Sequence, residues 1–246
     1  QHPDQAFMAA VWRVLEIALG ILVSTFVSAA ILPQSASAAM RNALYQRFGV
    51  FAGVVVEALR GDSQKDRFES SNVRFVAEAV GLESLRNVTA FEDPHMRRRS
   101  GRLVRMNSEF MAITTRFNAL HQLLARLRSR GVVQVVSAIE PELELLAQLL
   151  ETYAGRSLTD KDAVLLAEQL ETFKAGLPGH VRALRVSFLE TDPGPSDFLD
   201  FNTAYELLFR FVDDLHNYAQ THASLVDHTH ERERWDKPFI SQTNWW

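Results

Sequence analysis

The spacing of apolar residues along the chain predicts long helices. The clearest pattern follows the pair Asp93 and Pro94, which predicts a helix N-cap with proline in the first turn. From there apolar residues recur at alternating spacings of three and four until Gly131, as in a seam that packs against other helices. This first seam consists of Leu103, Met106, Phe110, Ile113, Phe117, Leu120, Leu124 and Leu127.

A second seam predicts another long helix further along the chain. This helix is expected to begin near Ser196, directly after the helix-breaking stretch DPGPS. Its apolar positions follow the same spacing and are Phe201, Tyr205, Leu208, Val212, Leu215 and Ala219. Since both seams are long and strict, we expect their side chains to form a packed core rather than a cofactor slot.

Shorter amphipathic patterns predict further helices around these two. They cover residues 37–59, 73–85, 141–153 and 159–173. Thr159 is the expected N-cap of the last of these, and Gly155 separates it from the one before. Helices with short connectors pack as an antiparallel bundle, so the predicted fold class is all-α.

The N-terminal part of the chain differs because it is apolar on every side. Residues 17–32 carry no charge. A helix from Ala9 to Leu32 has the ~20 residues that are needed to cross ~30 Å of hydrocarbon, and Pro33 is expected to end it. The sequence therefore predicts a transmembrane helix within residues 1–33 and a helical bundle over residues 34–246.

Two ionisable residues, Arg13 and Glu16, precede the uncharged stretch. Because they are three residues apart on a helix, the two side chains lie on one face and can form an ion pair. Ionisable groups inside a span often mark a path for substrate or protons, so this pair is a candidate site. Trp12 is a candidate interfacial anchor, and the arginines that follow the span place its C-terminal side in the cytoplasm.

Two other interpretations of this stretch compete with the membrane span. A signal peptide would use Arg13 as its basic region, residues 17–27 as its apolar core and SASAA as its cleavage site. Glu16 and Asp4 are unusual for that class of segment. A very apolar helix buried inside a soluble bundle is the third interpretation.

Composition narrows the function without defining it. The chain has 246 residues, 47% hydrophobic and 23% charged, which is typical of one large folded domain or two modest ones. Its 26 basic and 30 acidic residues nearly balance, so no nucleic-acid partner is predicted. Cysteine is absent, which excludes disulfides and thiolate chemistry.

The sequence contains no recognisable catalytic motif, so no enzyme activity and no cofactor are predicted. Four histidines occur late in the chain, but His216 and His222 are six residues apart and diverge on a helix, so no metal site is predicted. A basic run, RRRSGRLVR, begins at Arg97. Most of its arginines, which are Arg97, Arg98, Arg99, Arg102 and Arg105, are expected to face solvent and to pair with acids, lipid headgroups or small anions.

Two stretches resemble one protein family. RVLEIALGILVSTFVSAAILPQSA resembles the last helix of the N-terminal membrane half in the fusaric acid resistance family, whose relatives include exporters of aromatic carboxylic acids. The matching residues are Arg13, Glu16, Ile17, Gly20 and Pro33. The stretch FEDPHMR is similar to a second family pattern, and its matching residues are Phe91, Glu92, His95, Met96 and Arg97.

The resemblance implies a segment of an inner-membrane efflux transporter for small aromatic carboxylic acids or related toxic compounds. Residues 34–246 would form a cytoplasmic coupling or dimerisation module, with Glu92, His95 and Arg97 as a family-like cytoplasmic motif. Membrane lipid, a periplasmic adaptor protein and a second copy of the chain are the implied partners. Two alternatives remain: a membrane-tethered bundle that binds a protein partner, and a secreted helical protein.

Overall fold

The computed structural model of the chain describes residues 3–61, 70–71, 73–82, 84 and 94–224, and at 3–7, 9–10, 28–41 and 94–100 it describes the backbone alone. Every regular element in these ranges is a helix, which confirms the all-α fold class. The helices are α1 (Pro3–Arg60), α2 (73–82), α3 (Pro94–Ser129), α4 (Val133–Glu151), α5 (Asp160–Glu190) and α6 (Pro195–Ser224).

Helix α1 is one continuous element of 58 residues, about 87 Å long at 1.5 Å per residue. The prediction that Pro33 ends a first helix and that a second begins near Ser37 is therefore wrong. A proline removes one backbone hydrogen bond and crowds one carbonyl, at a cost of about 3 kcal/mol. Alanines and long apolar residues on both sides of Pro33 favour the helix.

The two ends of α1 have opposite surroundings. From Leu44 onward it enters the bundle, where it packs mainly against α4 and also against α3. Its buried residues there recur at spacings of three and four, as in Leu44, Phe48, Phe51 and Val55. This end of α1 therefore belongs to the core of the bundle.

Both predicted seams are confirmed. All eight apolar residues of the first seam, on α3, and all six of the second, on α6, are buried. Pro94 is the first residue of α3, and Gly131 follows its end with φ +71°, a conformation that suits glycine. The two helices pack against each other, and α6 also packs along α5, from which four residues separate it.

The predicted limits of α4 and α5 are too short. Helix α4 begins at Val133 rather than at Pro141, because Val135 and Ile139 are spaced to face the core from a helix and are fully buried. Helix α5 continues through Pro178 to Glu190. Its start agrees with the prediction, since Thr159 is the N-cap and forms a capping box with Asp162.

Candidate functional site

The N-terminal part of α1 lies outside the bundle. Every residue from 11 to 27 is exposed, including large apolar side chains such as Trp12 (63% exposed) and Phe26 (75% exposed). The interpretation as a core helix is therefore wrong for these residues. In the described residues, no helix contains a stretch that is both long enough and apolar enough to cross a membrane.

The predicted pair Arg13 and Glu16 lies on this exposed part of α1. Their spacing places them on one helix face, as expected, but within the described part of the chain no ion pair joins them. The second predicted group consists of Glu92, His95 and Arg97. Glu92 lies outside the described residues, and His95 and Arg97 lie in the first turns of α3, where the backbone alone is described.

Two arginines of the basic run have side chains in the described part of the chain. Arg102 and Arg105 are half-buried rather than turned to solvent. Arg102 Nη1 donates to the carbonyl oxygen of Ser224 at 2.6 Å, which ties α3 to the end of α6. Arg105 Nε pairs with Glu109 Oε1 at 2.8 Å along α3. Arg102 therefore joins two helices, whereas the Arg105 pair lies within α3.

A charged residue that the sequence analysis did not select, Arg47, lies in the centre of the bundle. It is 2% exposed and projects from α1 toward α3. Its Nη1 donates to Asn107 Oδ1 at 2.7 Å, and Asn107 Nδ2 donates to the carbonyl oxygen of Ala79 on α2 at 3.1 Å. The guanidinium carbon lies 3.8 Å from the centre of the Phe110 ring, close enough for a cation–π interaction.

The electrostatics of Arg47 are unusual. Burial lowers its pKa, while Tyr218 and Glu78 nearby raise it. Its Nε and Nη2 make no hydrogen bond within the described part of the chain. A signal for this site existed in the sequence, because Arg47 falls three residues after Leu44 and four before Phe51, on the apolar face of its helix.

A second buried polar residue, His222 on α6, lies close to this centre. It is fully buried, and neither ring nitrogen makes a hydrogen bond within the described residues. Its ring stacks against Tyr218 and meets the edge of Tyr45, whose hydroxyl donates to Asp160 at the start of α5. Burial lowers the pKa of His222 to about 4, opposed by the charge of Asp160.

We expect His222 to make the bundle sensitive to acid. The folded chain keeps the imidazole neutral down to a pKa of about 4, whereas the unfolded chain binds a proton near pH 6.5. As pH falls from 7, the unfolded state alone gains a proton, so the free energy of unfolding falls by about 2 kcal/mol at pH 5 and about 3 kcal/mol in full. Denaturant unfolding of the full chain in detergent micelles, followed by circular dichroism at pH 7 and pH 5, measures this loss.

The matched comparison uses two variants. In His222→Phe the loss between pH 7 and pH 5 is expected to shrink by about 2 kcal/mol. Gln220→Phe serves as the control, because Gln220 is exposed on the same helix and its replacement removes no titratable group. An unaltered pH dependence in His222→Phe contradicts the assignment.

Other charged side chains join helices at the surface. Arg60, at the end of α1, pairs with Glu144 at 3.2 Å and Glu151 at 2.8 Å, both on α4. Lys174 on α5 pairs with Asp213 on α6 at 3.4 Å. In the described parts of the chain, no group of three metal-ligating residues is close enough to hold an ion.

Comparison with known proteins agrees with the resemblance. The family model described as the fusaric acid resistance protein family matches residues 1–246. The fusaric acid resistance protein FusC of Burkholderia cepacia is 45% identical over 239 residues, covering 96% of this chain and 68% of that protein. No solved structure matches the chain. With an exposed apolar helix joined to an all-helical bundle, the chain belongs to the fusaric acid resistance family of membrane resistance transporters.

Proposed function

We propose that this chain is a segment of an inner-membrane efflux transporter that exports small aromatic carboxylic acids or related toxic compounds. Residues 1–33 would complete the N-terminal membrane half, and residues 34–246 would form the cytoplasmic bundle. The substrate class is supported by the name of the relative FusC, since fusaric acid is itself an aromatic carboxylic acid.

The difference in exposure between the two ends of α1 is the main support for this proposal. Residues 11–27 are exposed on all sides although most are apolar, and apolar surface costs about 25 cal/mol per Å² when water covers it. A continuous exposed surface of this kind is typical of a membrane-contacting segment. The stretch from Ala9 to Leu32 contains the ~20 residues that a helix needs to cover ~30 Å of hydrocarbon.

The bundle then acts as a coupling module. Since α1 is one helix from Pro3 to Arg60, a tilt or rotation of its lipid-embedded end moves the end that packs in the bundle. Arginines follow the apolar stretch at Arg41 and Arg47, which favours a cytoplasmic position for the bundle. A second copy of the chain and a periplasmic adaptor protein would complete the pathway across the envelope.

An export assay tests the function. Cells that express the full-length protein are expected to accumulate less labelled benzoate than cells without it, and to tolerate higher concentrations of the acid. Benzyl alcohol, which has the same ring without the carboxylate, is the control and should be retained equally by both strains. Equal accumulation of benzoate in the two strains contradicts the export proposal and leaves the membrane-tethered binding protein as the better one.

We further propose that Arg13 and Glu16 line the path of substrate or protons. Glu16→Gln removes one titratable group at constant size, and it is expected to lower benzoate export at least about tenfold, a typical loss when a proton-transfer group is removed. The amount of protein in the membrane, measured by immunoblot, should not change. If the Glu16→Gln variant exports benzoate at the unaltered rate, Arg13 and Glu16 do not line the path and have a structural role only.

A further inference from the structure

The last turns of α5 stand apart from the rest of the bundle. Beyond Leu177 the helix buries one residue, Phe188, whose ring stacks on that of Phe201 in α6 with the ring centres 4.6 Å apart. The exposed positions are 178–180, 182–183, 185–187 and 189–190. Within the described residues, this part of α5 therefore packs mainly on α6, and its outer face is uncovered.

Two apolar side chains, Val186 and Leu189, lie on this part of α5 with 58% and 52% of their surface exposed. Their spacing of three matches positions a and d of the seven-residue coiled-coil repeat, which face the partner helix. Valine at a and leucine at d favour a pair of parallel helices. The last turns of α5 therefore present the apolar part of a helix–helix contact.

Charged residues flank the two apolar ones. With Val186 at position a, Arg185 takes position g and Glu190 takes position e. In a parallel pair of helices, position g of one helix lies beside position e of the other, five residues further along. Arg185 of each copy would thus meet Glu190 of the other, so this face is complementary in charge to itself.

Neither of these two charges has an ion-pair partner within the described residues. Arg185 donates from Nη2 to the neutral Asn202 Oδ1, and its guanidinium carbon lies 5.7 Å from the centre of the Phe198 ring. Glu190 is the last residue of α5, where the negative end of the helix dipole makes a carboxylate unfavourable. An arginine from a second copy would stabilise Glu190 on both counts.

The direction of α5 allows a parallel pair. The helix begins beside Tyr45 of α1, whose hydroxyl donates to Asp160 at 2.9 Å. Further along α5, His180 contacts the same stretch of α4 that pairs with Arg60, the last residue of α1. Helix α5 therefore runs in the same direction as α1, away from its exposed apolar end. Two copies whose apolar ends lie in one membrane have α5 helices that point the same way.

We propose that residues 185–190 of α5 form a parallel contact with the same residues of a second copy of this chain. Val186 and Leu189 would pack between the helices, and Arg185 of each copy would pair with Glu190 of the other. The inference rests on the membrane position of α1 proposed above, and it names the surface that joins the two copies. Since a contact of this length buries less than the ~1,200 Å² of a standard interface, it depends on the high effective concentration within one membrane.

Disulfide formation in membranes tests the contact. The chain contains no cysteine, so a chain dimer linked through one introduced cysteine joins the same position of two copies. At positions a and d of a parallel pair, equivalent Cα atoms come near the ~4.4–6.8 Å that a disulfide spans. In oxidised membranes from cells that express the chain, we expect Val186→Cys and Leu189→Cys to give at least about tenfold more dimer than Val73→Cys. Val73 is the matched control because it is a valine on α2 that is 70% exposed.

Charge reversal tests the pairing between copies, with Val186→Cys as the reporter. Arg185→Glu and Glu190→Arg each bring like charges together twice, and each is expected to lower the amount of dimer at least about threefold. The double variant Arg185→Glu/Glu190→Arg restores opposite charges and is expected to recover the original amount. Because the contact of Arg185 with Asn202 is lost in the double variant as well, a contact between copies accounts for the recovery.

Each other outcome overturns the proposal. Dimer from Val186→Cys without dimer from Leu189→Cys indicates an antiparallel pair. Equal dimer from Val73→Cys, disulfides to other proteins alone, or no recovery in the double variant also contradicts the contact. The result is distinguishable from that of the export assay, because a chain that exports no benzoate can still form the dimer. A chain that exports benzoate without forming the dimer overturns this contact alone.

Discussion

Replacement of Phe51 by alanine is expected to lower the free energy of unfolding of the bundle by about 4 kcal/mol, as for other fully buried phenylalanines. Phe51 is 1% exposed and lies on α1 among rings from three other helices. Ring centres lie 5.6 Å away at Phe75 on α2 and Phe110 on α3, and 6.4 Å away at Phe211 on α6. Because each ring belongs to a different helix, the cavity left by the substitution cannot close by one small movement.

Denaturant unfolding in detergent micelles, followed by circular dichroism, measures this loss. The matched control is Phe209→Ala on α6, because Phe209 is 37% exposed and its removal leaves no enclosed cavity. We expect Phe209→Ala to lower the free energy of unfolding by less than about 1.5 kcal/mol. Equal losses in the two variants would show that Phe51 is not the centre of the core.

The same rings explain how much of the fold the sequence predicts. The seams on α3 and α6 could be predicted because a helix that packs along its whole length repeats its apolar contacts at a fixed period. Phe110, Phe117, Phe201 and Phe211 all face the core, and the first three belong to the predicted seams. The spacing of apolar residues indicates which face of a helix is buried, and it can be read from residues that are close together in the sequence.

The helix limits were harder to predict because prolines have two different effects. Pro94 and Pro195 begin helices, where the missing N–H costs nothing. Pro33, Pro141 and Pro178 lie inside helices and interrupt one hydrogen bond each. Whether a helix continues past such a residue depends on the packing and propensity of the residues around it, and buried neighbours such as Leu177 favour continuation of α5.

The buried polar groups could not be predicted from spacing alone. Arg47 and His222 lie on apolar helix faces, where a sequence pattern indicates burial but not the partner. Asn107, which receives the hydrogen bond of Arg47, is 60 residues away in the chain, and the Asp160 that acts on His222 belongs to another helix. Only the packing of four helices brings these groups together.

Gly49 on α1 is expected to tolerate no side chain. Its backbone lies against the turn between α4 and α5, where the Gly155 N–H donates to the Gly49 carbonyl oxygen at 2.9 Å and the Leu158 N–H donates to that of Tyr45 at 2.8 Å. A Cβ at position 49 would lie 1.8 Å from the carbonyl oxygen of Arg156, which is backbone and cannot turn aside.

Gly49→Ala is therefore expected to push this turn away from α1 and to lower the free energy of unfolding by about 3 kcal/mol, from overpacking and weakened hydrogen bonds. Gly53→Ala, one turn further along α1, is the matched control. The nearest atom to a Cβ there is the Ala154 Cβ at 4.0 Å, an ordinary contact, and alanine is the better helix former by up to about 1 kcal/mol. Denaturant unfolding should therefore give a lower free energy of unfolding in Gly49→Ala and a higher one in Gly53→Ala. Hydrogen exchange at the Leu158 amide should become faster in Gly49→Ala alone. Equal stability in the two variants would mean that the turn does not rest on the backbone of α1.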